Sequence, residues 1–450
     1  MKKTKKIFIG FAIVISLLII LPFLIPTQTY LHELERIAND KLGVPVSVAS
    51  GHWSIFPSPR VVVNDIAVGK AQEVRVKRVE VIPTLSSLFS ATKVIDLKVS
   101  EPIIKQSALA LLSTLSNKKP ETDGRATAVN IRHVSIEALQ LDWPNTKYPI
   151  INVDANLTNM NALQSAKLET VDGALKADVT PEDGGHLILV ALKKWTSPIG
   201  LPIFIDTGKL VMHLKANQLE IPNIDVALYS GKLTGNAIVS WEKSWRASGK
   251  LNVANLSVKE PSSLVSKSVY LSGNLFGNGS FSGNAKDAGQ LADNLTANFK
   301  FKVNNGVLHG LDLVKVASLL IKQSNKGGST EFEEFSGVLD MDKGSSSARQ
   351  YHLHDLKISS GLLAATGEVK VKPNKALDGA VEVEVKRSVS LVAIPLVVSG
   401  TVSNPIILPS KTALAGALAG TAILGPGVGT SLGVKAGGAV DKIKGLFDGK

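Results

Sequence analysis

Two histidines at alternating positions are the residues best placed for chemistry in this sequence of 450 residues. His352 and His354 would point to the same face of a strand, and Asp355 follows them directly. Two such imidazoles could begin a zinc site, but no third ligand has a convincing spacing. The alternative, which the sequence favours, is that both histidines face solvent from a strand.

The remaining motifs offer no catalytic constellation. GSFSG (279–283) has Phe281 where a nucleophile elbow needs its serine. GPGVGT (425–430) could form a backbone nest for an anion, although a tail of small residues is the simpler interpretation. EFEE (331–334) is most simply a solvated charge cluster, and the absence of cysteine excludes thiol catalysis. We therefore expect no catalytic residue, metal ion or cofactor, and no enzyme.

The net charge of +12 has a partly local cause. Lys2, Lys3, Lys5 and Lys6 precede a long apolar run, and the other basic residues are scattered. No arginine-rich run with interleaved aromatic residues occurs, so nucleic-acid binding is not expected. Attraction to anionic lipid headgroups is a more natural use for this charge.

The apolar run, residues 7–25, predicts a single transmembrane anchor. Its nineteen residues are all uncharged and would span about 29 Å as a helix, the thickness of a bilayer core. The lysines before it place the N-terminus in the cytoplasm by the positive-inside rule. A cleaved signal peptide is the alternative, but no A-x-A-like site follows the run. A short helix is predicted within residues 26–45, ending at Gly43.

From Val46 to about Pro409 the dominant pattern is alternation of apolar and polar residues, which predicts strands with one apolar face. The clearest examples are VRVKRVEVIP (74–83), FKFKVN (299–304) and VEVEV (381–385). Hairpin turns are predicted at 172–173, 182–185, 304–306 and 341–344.

Two further patterns stand out among the strands. Residues 310–324 predict an amphipathic helix capped by Asp312. YSGKLTGNAIVS (229–240) aligns without gaps on LSGNLFGNGSFS (271–282), which indicates either a repeated hairpin or convergence of Ser/Gly-rich turns.

With these elements in order, the sequence resembles the AsmA family of inner-membrane-anchored periplasmic proteins. The resemblance rests on the apolar anchor and on the stretches GHWSIFPSPRVVVNDIAVG (51–69), VRVKRVEVIPTLSSLFSATKVIDLKVSEPII (74–104), NNGVLHGLDLVKVASLL (304–320), FEEFSGVLDMDKG (332–344), LHDLKISSGLLAATGEVKV (353–371) and IPLVVSGTVSNPIILPS (394–410). The middle of the chain, about 130–260, matches only as generic strands.

The resemblance implies a mainly β fold, in which the transmembrane helix is followed by a long curved antiparallel sheet that forms an apolar groove, as in chorein-type lipid-transfer proteins. The expected segments are a cytoplasmic N-terminus (1–6), the anchor (7–25), a short periplasmic helix (26–45), an N-terminal β segment (46–128), middle β repeats (129–265), a C-terminal β region (266–410) and a Gly/Ala-rich tail (411–450).

The expected function is to hold or move phospholipid in the groove for outer-membrane homeostasis. The expected partners are phospholipid acyl chains, the inner membrane and, through residues 411–450, the outer membrane or one of its proteins. The candidate groove residues are Trp53, Phe56, Val74, Val76, Phe299, Phe301, Val303, Val381, Val383 and Val385. Trp53 is also a candidate for the bilayer interface. Two other hypotheses stay open: an assembly factor for outer-membrane proteins, and an envelope hydrolase for which no residue can be nominated.

Overall fold

The computed structural model describes residues 35–36, 39, 43–84, 86, 92–108, 129–144, 146–198, 201–317, 327–343, 348–386 and 393–416. The chain divides into two compact units, Met1–Pro202 and Ile203–Lys450. In both units the described residues form long strands with a few short helices, which confirms the predicted mainly β fold.

The first unit contains ten strands. They are β1 (Val46–Ser54), β2 (Arg60–Val68), β3 (Val74–Pro83), β4 (Lys93–Lys105), β5 (Val129–Trp143), β6 (Thr146–Lys147), β7 (Ile151–Leu157), β8 (Leu163–Thr170), β9 (Leu175–Glu182) and β10 (Gly185–Thr196). Consecutive strands pair antiparallel, except that β4 and β5 are parallel and β7 pairs with β5 beside the two-residue strand β6. A parallel pair needs a long connection, and the one here begins with a 3-10 turn at Gln106–Ala108.

The second unit is an antiparallel meander of twelve strands. They are β11 (Phe204–Lys215), β12 (Gln218–Leu228), β13 (Gly231–Ser240), β14 (Trp245–Ser257), β15 (Tyr270–Ala285), β16 (Thr296–His309), β17 (Ser329–Lys343), β18 (Arg349–Ser359), β19 (Leu363–Val371), β20 (Leu377–Val385), β21 (Ala393–Thr401) and β22 (Asn404–Pro409). Three short helices lie between strands: α1 (Lys259–Val265), α2 (Ala288–Leu291) and α3 (Leu313–Ala317). Residues 411–416 are also helical.

The register of the second unit places one apolar or glycine residue of every strand in a single row. Directly paired residues point to the same face of a sheet, so the row marks a continuous apolar face. It reads Leu210, Ile224, Gly235, Leu251, Gly279, Phe299, Leu339, Leu353, Val369, Gly379, Val398 and Ile407.

The first unit contains a comparable apolar row on nine of its strands. It reads Trp53, Val61, Val81, Leu97, Val134, Ala155, Ala166, Val179 and Ile188. The alternation of apolar and polar residues in the sequence therefore corresponds to a continuous apolar row in each unit.

Helix α3 closes one part of the apolar face of the second unit. Leu313, Val316 and Ala317 are buried against strands β19 to β22, where Leu363, Val383 and Leu396 are almost fully buried. Asp312 caps α3 through a bond from the Lys315 N–H at 2.9 Å. The predicted helix and its cap are thus confirmed over the described residues, and residues 318–326 lie outside them.

Two of the predicted turns fall within strands. Of the turn predicted at 341–344, residues 341–343 lie inside β17 and pair with β18. Asn304–Gly306 lies inside β16, where Asn304 pairs with Glu334 and Gly306 pairs with Phe332. Asn305 has φ of 50°, a left-handed conformation that asparagine tolerates, and it makes an irregularity within the strand instead of a reversal. The turns at 172–173 and 182–185 join β8 to β9 and β9 to β10 as predicted.

The predicted anchor, residues 7–25, lies outside the described residues, as do residues 26–34 and 417–450. Among the residues that the structure does describe, no helix has both the length and the apolar character to cross a membrane.

The segment under α3 gives a test of the packing. Buried Thr330 accepts a hydrogen bond from the Leu313 N–H and donates one to the Leu311 carbonyl, both at 2.9 Å. Thr330→Val keeps the shape but leaves both backbone groups without this partner, so we expect unit 2 to lose about 1–3 kcal/mol of unfolding free energy. Urea unfolding of the detergent-solubilised chain measures this loss. Thr330→Ser retains the hydroxyl and should unfold close to wild type; equal losses in both variants would contradict the interpretation.

Candidate functional site

The most distinctive surface of the second unit is a group of half-buried side chains on its apolar face. We name it the aromatic strip and define it as Phe281, Phe299, Phe301, Leu251 and Leu339. The strip spans β14 to β17, and its side chains are only partly covered by the described residues. Large apolar side chains left partly exposed in a continuous group mark a surface that binds something apolar.

Glycines opposite the phenylalanines let the rings lie flat on the sheet. Phe299 pairs with Gly279, and a Cβ built on Gly277 or Gly279 would come within 2.7 Å of its ring. A Cβ on Gly249 would likewise come within 2.6 Å of the ring of Phe281. The rings therefore occupy the space of the missing side chains and make the face shallow and smooth.

The predicted groove residues on β16 and β20 have different surroundings. Phe299 and Phe301 are partly exposed, whereas Val303, 1% exposed, lies in a packed core with Val253 and Phe332. Val383 is 0% exposed in the core under α3, and Val381 and Val385 pack against the same core. Phe299 and Phe301 are half-buried and pack against the core that contains Val303; lipid contact at any of these positions stays a prediction.

The predicted residues of the first unit also separate into two groups. Val74 and Val76 pair with Val68 and Ile66 of β2 and are half-buried. Trp53 lies at the end of β1 and pairs with Val61 of β2. Phe56 lies beyond the strands in the β1–β2 turn and is 87% exposed.

The opposite face of the second unit, which we name the polar face, carries a row of polar residues that crosses eight strands. The row reads Asn236, Lys250, Ser280, Asn298, Asp340, His352, Lys370 and Asp378. Exposed apolar side chains also lie on this face, at Ile238, Phe276, Val397, Ile406 and Leu408.

The two histidines singled out in the sequence lie on this polar face, in what we name the histidine cluster: His352, His354, Asp340, Asp355 and Glu368. The rings of His352 and His354 are 5.1 Å apart between centroids. His352 Nε2 is 3.1 Å from Glu368 Oε2. The carboxylates come from three neighbouring strands, so the sequence spacing of the histidines could not reveal them.

His354 is held between two carboxylates. Its Nε2 lies 2.9 Å from Asp340 Oδ2 and its Nδ1 lies 3.0 Å from Asp355 Oδ2. Only the doubly protonated ring can donate to both oxygens. Burial acts to lower the pKa of His354, but the hydrogen bonds and charges of Asp340 and Asp355 together raise it above its usual value.

This cluster forms an ion-pair network across three strands. Within the part of the chain that the structure describes, no group of three or more His, Cys, Asp or Glu side chains is arranged to hold a metal ion. The Asn298 amide donates to Asp340 at 2.6 Å and is the largest cause of a lowered pKa for that carboxyl, which keeps Asp340 ionised.

The sequence analysis did not single out Gly249, Gly277 and Gly279, the glycines that lie against the phenylalanine rings of the aromatic strip. The aligned repeats contain the signal, because Gly235 and Gly277 occupy equivalent positions, as do Leu233 and Leu275. Both leucines pack against the same core in the structure. The aligned stretches are not repeated hairpins, because residues 231–240 form β13 after a turn, whereas residues 271–282 lie entirely within β15.

Comparison with known proteins gives one match. A family model described as the AsmA family matches residues 192–351, a range that contains β11 to β17 and thus the whole aromatic strip. No curated protein and no solved structure matches the chain.

The close contact of Gly279 with Phe299 predicts that position 279 does not tolerate a side chain. A Cβ at position 279 would also lie 2.3 Å from the Asn298 carbonyl oxygen, so Gly279→Ala must displace backbone as well as the ring. We expect a loss of about 1–3 kcal/mol in unfolding free energy, measured by urea unfolding. Ser280→Ala, on the polar face of the same strand, is the matched control and should have little effect. Wild-type stability of Gly279→Ala would show that the strip is not packed as described.

The histidine cluster predicts a pH dependence with a defined sign. Because the folded state raises the pKa of His354, its stabilising contribution is complete below the unfolded pKa of about 6.5 and is lost as pH rises through the folded pKa. Asp340→Asn removes one acceptor charge, so the pKa of His354 should fall, as measured by NMR titration of histidine-labelled protein. Asp225→Asn, which disrupts the ion pair with Lys232, is the control and should leave this pKa unchanged. An unaltered His354 titration in Asp340→Asn would contradict the assignment.

Proposed function

We propose that this chain, whose residues 192–351 match the AsmA family model, is an inner-membrane-anchored envelope protein of that family that binds phospholipid acyl chains on its apolar sheet face. The observation that carries the proposal is the uninterrupted apolar row across all twelve strands of the second unit, with partly exposed phenylalanines in its middle. An open apolar face of this kind needs an apolar occupant, because strands without a covering layer leave their hydrophobic side unburied.

The physics of such a face accounts for binding without catalytic residues. An acyl chain gains about 0.8 kcal/mol for each methylene that it buries, and this gain does not depend on direction. Neighbouring positions along a smooth face are therefore nearly equal in energy, so a chain can shift from strand to strand without a large barrier. The flat rings of Phe299 and Phe281 over their glycines support this smoothness. On this proposal the protein is a lipid-binding or lipid-transfer protein and not an enzyme.

The cellular setting of the proposal comes from the sequence. Residues 7–25 would anchor the chain once in the inner membrane, with the N-terminus in the cytoplasm and the bulk of the chain in the periplasm. There it would hold or carry phospholipid for outer-membrane homeostasis. The curved groove expected from the family is part of this proposal.

Burial limits where lipid contact is proposed in the second unit. The side chains of the aromatic strip are partly exposed to solvent. Val383 and Leu396 pack with α3 and are almost completely inaccessible. The strip therefore provides the lipid contacts, and the core under α3 serves to close that part of the sheet.

Photo-crosslinking in cells tests the proposal. A photoreactive residue at Phe299 or Phe301 should capture phospholipid, detected by mass spectrometry of the purified adduct. The matched control is Lys300, which lies between them on the polar face and should capture none. Val383 is a second control, because its burial should also prevent capture. Absence of phospholipid at both phenylalanines, in a protein that is present at normal levels, would refute lipid binding.

The second hypothesis, an assembly factor for outer-membrane proteins acting through the C-terminal tail, is distinguished by truncation. Ala413 is fully buried, so the deletion should begin after residue 416 to spare the fold. Loss of a protein cross-link with lipid capture intact at Phe299 would favour the assembly role.

A further inference from the structure

The end of β1 and the β1–β2 turn carry an exposed apolar tip, of which Trp53 alone belongs to the apolar row of the first unit. We define the tip as Trp53–Pro59, with the sequence WSIFPSP, in which no residue is charged. Trp53 is 40% exposed, Ile55 36% and Phe56 87%. Three large apolar side chains exposed within four residues are unusual for a surface in contact only with water.

The charge at the base of the tip is already neutralised. Arg60 begins β2, and its guanidinium lies 2.6 Å from Glu80 Oε2, with both side chains largely buried. Its Nε also donates to the Ser58 carbonyl at 3.2 Å. Because this charge is paired within the protein, it does not oppose entry of the tip into an apolar environment.

The direction of the preceding chain relates the tip to the apolar segment 7–25. The Val46 N–H donates to the Asn39 side chain, and the Val48 N–H donates to Glu35 Oε1 at 2.6 Å. Asn39 thus lies beside the start of β1 and Glu35 lies further along it. Of these two described residues, Glu35 therefore lies nearer to the tip than Asn39 does.

Chain length makes this relation quantitative. Six residues of β1 separate Val48 from Ser54, which is about 20 Å of strand. Ten residues separate Glu35 from Ile25, the last residue of the apolar segment, and ten residues reach about 15 Å as helix or about 33 Å extended. An extended chain of about 33 Å exceeds the roughly 20 Å to Ser54 and brings the end of the apolar segment to the tip, whereas a helix ends about 5 Å short of it.

We propose that the Trp53–Pro59 tip inserts into the interface of the bilayer that holds the anchor and fixes the first unit against that membrane. The proposal rests on the anchor of the proposed function but not on lipid binding by the aromatic strip. Trp53 suits the interface because its ring is amphipathic, and Phe56 supplies an apolar side chain that the described protein leaves uncovered. The partner is the phospholipid bilayer itself.

The sequence has no cysteine, so single introduced cysteines can be labelled cleanly. Phe56→Cys carries a nitrobenzoxadiazole fluorophore in the full chain, reconstituted in vesicles of phosphatidylethanolamine and phosphatidylglycerol. Val171→Cys is the matched control, because Val171 is an apolar turn residue, 63% exposed, and lies at the opposite end of the strands of the first unit. Both substitutions replace exposed side chains, and unchanged unfolding transitions verify that both variants fold.

We expect lipids with a shallow nitroxide to quench the label at position 56 and to leave the label at 171 unquenched, with a blue-shifted emission only at 56. Equal, water-like behaviour of the two labels would overturn the proposal. Protection of position 56 from an aqueous quencher without quenching by lipid would also overturn it, because a protein would then cover the tip. Lipid capture at Phe299 is measured separately, so failure of the proposed lipid binding is distinguishable from failure of the tip insertion.

Discussion

The constraint on which the rest of the structure depends is that directly paired residues of a sheet must point to the same side. In the second unit this rule turns twelve separate alternating strands into one apolar face, from Leu210 on β11 to Ile407 on β22. A slip of one residue between any two strands would exchange the faces from that strand onward. Register, more than any single side chain, therefore decides what the protein can bind.

The apolar face of the second unit is built differently in two of its parts. At β19 to β22 it is covered by α3, whose leucine and valine side chains form a core with Val383 and Leu396. At β14 to β17, half-buried phenylalanine rings over glycines form the surface. The part under α3 contributes stability, and the part at β14 to β17 is the candidate binding surface.

The polar face has a different role, because side-chain pairs on it link neighbouring strands. Ion pairs such as Lys302 with Glu334 connect adjacent strands, and the histidine cluster connects β17, β18 and β19. Exposed pairs contribute little to stability individually. Together they make this row of the sheet polar, in contrast to the apolar row on the other face.

The sequence by itself determined the mainly β fold, the position of most strands and the capped helix at Asp312, because alternation and capping are local properties of neighbouring residues. Only the tertiary structure decided that Asn304–Gly306 lies within a strand, that α3 covers Val383 and that three strands supply carboxylates to His352 and His354. The same holds for the glycines under Phe299, which are recognisable only from the cross-strand register. These features join residues far apart in the chain, and one sequence contains no direct record of which distant residues meet.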